Sequence, residues 1–179
     1  DDDRGRRPSG LAPLDVFDLI ADRDCRRAAE DGGPVSLALV GITDLDDITT
    51  IYGGAVRDAL LDAANHGVAR VISPSDLVVD IGDGRFMALV SGPAERAREA
   101  GDRIAIAIEA VHVRAGGGVR VSAGVVAAGV AQWIDGDQGM EGMLTRAESA
   151  LIPVPRTPVG ITDTAVTGEF RSVAVADAA

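Results

Sequence analysis

Apolar residues recur at spacings of three and four between Leu14 and Glu30: Phe17, Ile20 and Ala21, then Cys25, Ala28 and Ala29. That period predicts a helix with one buried face. Asp15 is placed to cap its start, and Gly32-Gly33-Pro34 ends it. Val35–Ile42 is a nearly unbroken apolar run, as expected for a strand covered on both sides. Leu45, Ile48 and Ile51 then share one helical face, and Tyr52-Gly53-Gly54 interrupts it. A further helix is predicted over about 55–71, burying Val56, Leu60, Leu61, Ala64 and Val68. Two apolar runs, Leu77–Ile81 and Phe86–Val90, flank Gly82-Asp83-Gly84-Arg85. An Asp-Gly pair between such runs predicts a β-hairpin, because a tight turn needs positive φ. Pro93 opens a helix that runs to about Val111, with Glu99 and Arg103 spaced to pair on its wet face. Val119–Val126 alternates as a strand, Gln132–Gly139 reads as a loop, and Met140–Leu151 as a short helix stopped by Pro153 and Pro155. In the tail, Val159–Thr162 and Phe170–Val175 are candidate strands.

This order of elements implies an α/β (α+β) domain: a mixed, mostly antiparallel sheet of about five strands flanked by helices, with the hairpin at 77–90. Residues 1–13 read as a flexible linker, 14–162 as the domain, and 163–179 as a tail that adds at most one strand. The core must be aliphatic, because aromatic residues make up only 3% of the 179. A net charge of −11 argues against a surface for nucleic-acid polymers or anionic membranes, both of which need basic patches. The single cysteine, Cys25, excludes an internal disulfide and reads as a buried small hydrophobe. His66 and His112 fall singly in segments read as helical, without ligand spacing. Trp133 falls in a loop, either as an exposed contact or as a cover for the sheet. No apolar stretch approaches the 18 residues that suggest a membrane span. The charged opening without an initiator Met suggests a piece of a longer protein.

Five stretches together resemble the GGDEF domain, the catalytic domain of bacterial diguanylate cyclases. They are Asp15-x-Phe17-x-x-Ile20-x-Asp22-Arg23, Ile48-x-x-x-Tyr52-Gly53-Gly54-x-x-x-Asp58-x-Leu60-Leu61, Asp76–Phe86, Val121-Ser122-Ala123-Gly124-Val125, and Ala147-Glu148-x-Ala150-Leu151. The resemblance implies a nucleotide-cyclase fold and a chemistry in which metal-held carboxylates assist attack of a ribose 3′ hydroxyl on a GTP α-phosphate. It also implies what this chain lacks. The family's first metal-binding aspartate falls on Gly41 and the next on Thr43. The signature hairpin reads Gly82-Asp83-Gly84-Arg85-Phe86, with Gly84 where a metal ligand is expected and Arg85 in place of glutamate. The guanine-reading asparagine falls on Thr49, whereas its aspartate persists as Asp58. The phosphate-binding lysine falls on Asp46, and the later lysine and arginine on Pro155 and Val159. The product-inhibition motif reads Ser73-Pro74-Ser75-Asp76, its arginine gone and its aspartate kept.

The resulting expectation is a catalytically inactive GGDEF-like domain, with no cofactor, acting as a regulatory or protein-interaction module. The expected partners are another protein, flanking domains of its own chain, or a second copy. The expected setting is cytoplasmic, as the soluble part of a protein attached to the membrane through segments outside this chain. Asp58 and Asp76 are the candidates for residual nucleotide binding. Asp44, Asp46 and Asp47 are weak metal candidates, read otherwise as acids that suit a helix N-terminus.

Overall fold

Val35–Ile42 forms β1, and all eight of its residues are buried. A strand with no polar face must be covered on both sides and paired along both edges. In the computed structural model, which describes residues 11–134, 136, 137 and 139–153, both conditions hold. β3 (Arg85–Ser91) runs along one edge, placing Gly41 opposite Arg85, and β6 (Val126–Gln132) runs along the other. β2 (Asp76–Gly82) lies outside β3, and the two-residue β7 (Ile152–Pro153) outside β6. The sheet order is β2-β3-β1-β6-β7, with every neighbouring pair antiparallel.

Alternation along β1 divides the core in two. Ala38, Val40 and Ile42 face α2 (Leu45–Tyr52), α3 (Gly54–Val71) and α4 (Ala94–Glu109). Val35, Leu37 and Leu39 face α1 (Leu14–Asp31) and α5 (Met140–Ser149). Aliphatic packing closes both layers, with Phe17 and Phe86 the largest fully buried side chains. Trp133 is partly buried against the α1 layer, so it covers the sheet. Cys25 is buried in that layer, and burial with the nearby Asp22, Asp24 and Asp137 pushes its thiol up to about 11, which keeps it a neutral thiol.

Several expectations change. Val119–Val126 is not one strand: β5 (Arg120–Ser122) pairs with β4 (His112–Arg114) in a separate ribbon, and after Gly124 the chain enters the main sheet as β6. His112 therefore sits in a strand. Asp15 does not cap α1; Pro13 is the capping residue and Asp15 lies in the first turn. Ile51 is exposed, because the eight-residue α2 buries only Leu45 and Ile48 before it ends. Arg103 does not pair with Glu99; it reaches the buried Asp76 at 2.5 Å. Leu11–Pro13 is no free linker: Ala12 is buried and its N–H donates to Val78 O. The candidate strands Val159–Thr162 and Phe170–Val175, like Pro155, lie outside the described residues.

Candidate functional site

The hairpin tip is a two-residue turn. Asp83 has φ +51° and Gly84 φ +68°, while Gly82 already faces Arg85 across the strands. Two successive positive φ values match the twist of the flanking strands, and Asp-Gly accepts them at low cost. The ladder slips between Asp80 and Gly82, where Asp80 Oδ1 accepts the Gly82 N–H at 2.8 Å. This bulge re-aims the tip towards α3.

The underside of the tip is core. Gly84 is buried, and its carbonyl accepts the Ile42 N–H at 3.1 Å. A Cβ added there would meet Leu45 Cδ1 at 2.8 Å, Leu61 Cδ2 at 3.2 Å and Ile42 Cβ at 3.3 Å. Beside it, Arg85 lies across from Gly41, and a Cβ on Gly41 would sit 3.3 Å from Arg85 Cγ. The aliphatic stem of Arg85 thus covers Gly41. These are the positions where the resemblance places metal-binding carboxylates.

The outer side of the tip borders a cleft of about 320 Å³ against α3. Arg57, Asp58, Asp62 and Asn65 line one wall; Asp80, Gly82, Asp83, Gly84 and Phe86 form the other. Arg57 Nη2 donates to Asp83 Oδ1 at 2.8 Å, and its Nη1 donates to Asp58 Oδ1 at 3.3 Å. The structure therefore brings Asp58 to the signature hairpin. Sequence reasoning missed Arg57, Asp62, Asn65 and Asp80. Their signals were weak: Asp58, Asp62 and Asn65 follow helical spacing, and Asp80 shares a face of β2 with Val78.

The remaining candidates lie elsewhere. Asp76 stands at the far end of β2, where it is 5% exposed and accepts from Arg103 and Ser75. Asp44 Oδ2 accepts the Gly124 N–H at 2.6 Å, which ties the start of α2 to the start of β6. Asp46 and Asp47 are exposed in the first turn of α2. Among the described residues, no three His, Cys, Asp or Glu side chains form a group able to hold a metal ion. Among them also, no helix is long and apolar enough to cross a membrane.

Comparison with known proteins places this geometry. No curated protein sequence matches the chain. Among solved structures, the GGDEF domain of DgcB from Caulobacter crescentus, determined with c-di-GMP, aligns with a TM-score of 0.68 at 20% identity, over 84% of this chain and 89% of that one. The active GGEEF domain of a Vibrio cholerae diguanylate cyclase aligns at 0.65 and 18% identity, over 79% and 88%. Diguanylate cyclase SiaD from Pseudomonas aeruginosa, determined with its activator SiaC, aligns at 0.69 and 19%, over 81% of this chain and 55% of SiaD. At these identities the likeness carries the fold. The family model described as diguanylate cyclase, GGDEF domain, matches residues 9–156, and the chain belongs to that family.

Proposed function

We propose that this GGDEF domain is catalytically inactive and serves as a regulatory or protein-interaction module of a larger bacterial signalling protein. One observation carries the proposal: the sites where metal ligands would stand are closed by packing. Gly41 has no side chain and lies under the Arg85 stem; Gly84 has none and faces Leu45, Leu61 and Ile42. The residues present do not fit Mg²⁺, which takes oxygen ligands in near-octahedral geometry. Asp44, the nearest acid in sequence to Gly41, accepts the Gly124 N–H through Oδ2, and its buried Oδ1, which meets no donor among the described residues, is a single oxygen and not a ligand set. Removing a single charge-stabilising group usually costs about a hundred-fold in rate, and here several positions differ together. The Ser73–Asp76 turn supports the same proposal, since Asp76 spends its carboxylate on Arg103. SiaD, solved with a protein activator, and a DgcB structure that joins a coiled coil to its GGDEF domain illustrate the partners such a domain can have.

A second reading, a receptor for GTP or cyclic di-GMP, is favoured by Asp58 on the cleft wall. Calorimetric titration of the chain with each nucleotide, with and without Mg²⁺, separates the two. The expected result is no binding heat; micromolar binding would overturn the pure interaction module and select the receptor.

A further inference from the structure

We propose that the outer face of the β4–β5 ribbon is a binding site for the phosphate dianion of a small soluble phosphate ester, held between Arg114 and Arg120. The register sets these two arginines directly opposite each other. The Ala115 N–H on Val119 O at 2.8 Å marks the neighbouring pair as hydrogen-bonded. The ladder alternates, so Arg114 and Arg120 form a non-hydrogen-bonded pair, with Cα atoms about 4.5 Å apart and side chains at their closest. Like charges in that arrangement destabilise a ribbon. No other paired position among the described strands sets two like charges opposite each other. Neither guanidinium meets a carboxylate or any other hydrogen-bond partner among the described residues. The surrounding sequence offers none: no Asp or Glu stands between Glu109 and Asp135, although the chain carries 28 of them.

Folding does not explain the pair. Val121 is buried, and Val113 and Ala115 pack against the core, so the inner face anchors the ribbon. Arg114 and Arg120 stand on the opposite, exposed face, with His112 and Ser122 two positions along on the same side. At the tip, a Cβ on Gly116, Gly117 or Gly118 would meet nothing within 4 Å, which leaves that end of the face open. Oxygen count selects the ligand. A carboxylate has two oxygens and one guanidinium fork occupies both, whereas a phosphate monoester offers three to two converging forks. A bilayer or a nucleic-acid polymer would extend beyond the ribbon over a chain of net charge −11, while a small anion meets only the local field. The site shares no residue with the cleft between α3 and the hairpin tip and does not rest on the loss of catalysis.

The test follows backbone amide signals of the full chain as glycerol 2-phosphate is added at about pH 7.5, where a phosphate ester with a second pKa of about 6 is a dianion. Signals of residues 112–122 should shift and saturate in the millimolar range, as two charge-assisted contacts allow. Succinate, a carboxylate dianion, should leave them in place at equal ionic strength. Arg120→Gln should weaken the response at least about tenfold. Without ligand that variant should melt no lower than wild type, because the opposed charge is gone. Absence of saturable shifts overturns the site, as do shifts that succinate reproduces, that Arg120→Gln retains, or that centre on residues 57–65 and 82–84. Binding to phosphatidylglycerol vesicles without a response to glycerol 2-phosphate overturns the soluble ester as the ligand.

Discussion

Two turns of this domain are held by an arginine–aspartate pair, and they are built in opposite ways. At the corner before α5, Asp137 is 5% exposed and receives both Arg146 Nη1 and Nη2 at 2.7 Å, plus the Ile134 N–H at 3.0 Å. Arg146 also donates to Gln132 O, so one guanidinium ties α5 to the end of β6. At the hairpin tip, Arg57 meets Asp83 at 2.8 Å, but Asp83 is 76% exposed. The corner pair is shielded and bidentate; the tip pair is open to water and salt. Charge at the corner therefore maintains architecture. At the tip, architecture comes from the buried Gly84 underneath, and the charge pair above it stays exposed.

The largest effect should come from refilling the underside of the tip. Gly84→Glu places a side chain at φ +68° against Leu45, Leu61 and Ile42, and should cost about 3 kcal/mol, split between backbone strain and overpacking. Urea denaturation measures it. If the variant keeps wild-type stability and gains Mg²⁺ affinity, the tip is not locked by packing.

At the corner, Arg146→Ala leaves a shielded carboxylate without its fork and should cost about 2 kcal/mol, below the cost for a fully buried pair because Arg146 is 36% exposed. The pair also predicts a pH signature. Hydrogen bonds from Arg146 hold Asp137 below the usual aspartate value. A lowered folded pKa contributes stability above the unfolded value and loses it as pH falls through the folded one. Wild type should therefore lead Asp137→Asn at pH 6, and the lead should shrink below about pH 4, the ordinary aspartate range. A lead that stays constant down to pH 2 would remove the corner's role.

Breaking the tip pair should matter least. Arg57→Ala is expected to shift stability by no more than about 0.5 kcal/mol, in line with other exposed pairs. A loss comparable to that of Arg146→Ala would erase the contrast between the two turns.

What the sequence reveals depends on how local the cause is. The Asp83-Gly84 turn, the buried run of β1 and the Gly32 stop of α1 were legible because each is set by a few adjacent residues. The split between β5 and β6 was not, since alternation continues through Ala123–Val125 while the chain changes sheets. Arg103 looked like an i,i+4 partner for Glu99 because spacing cannot reveal Asp76 across the packed layer. At the site, the resemblance pointed to Asp58 and to the hairpin, which the structure sets on one cleft. The Arg85 stem over Gly41 and the acidic wall from Asp62 and Asp80 arise only when α3 and β1 are set beside the hairpin.

The most direct test of catalytic loss is product formation. The full chain, at high concentration, is incubated with GTP and Mg²⁺ and the mixture is resolved by chromatography. A tip closed by Gly84 and Arg85 predicts no cyclic di-GMP above a protein-free control. Product that accumulates with time and disappears on chelation of the metal would contradict it.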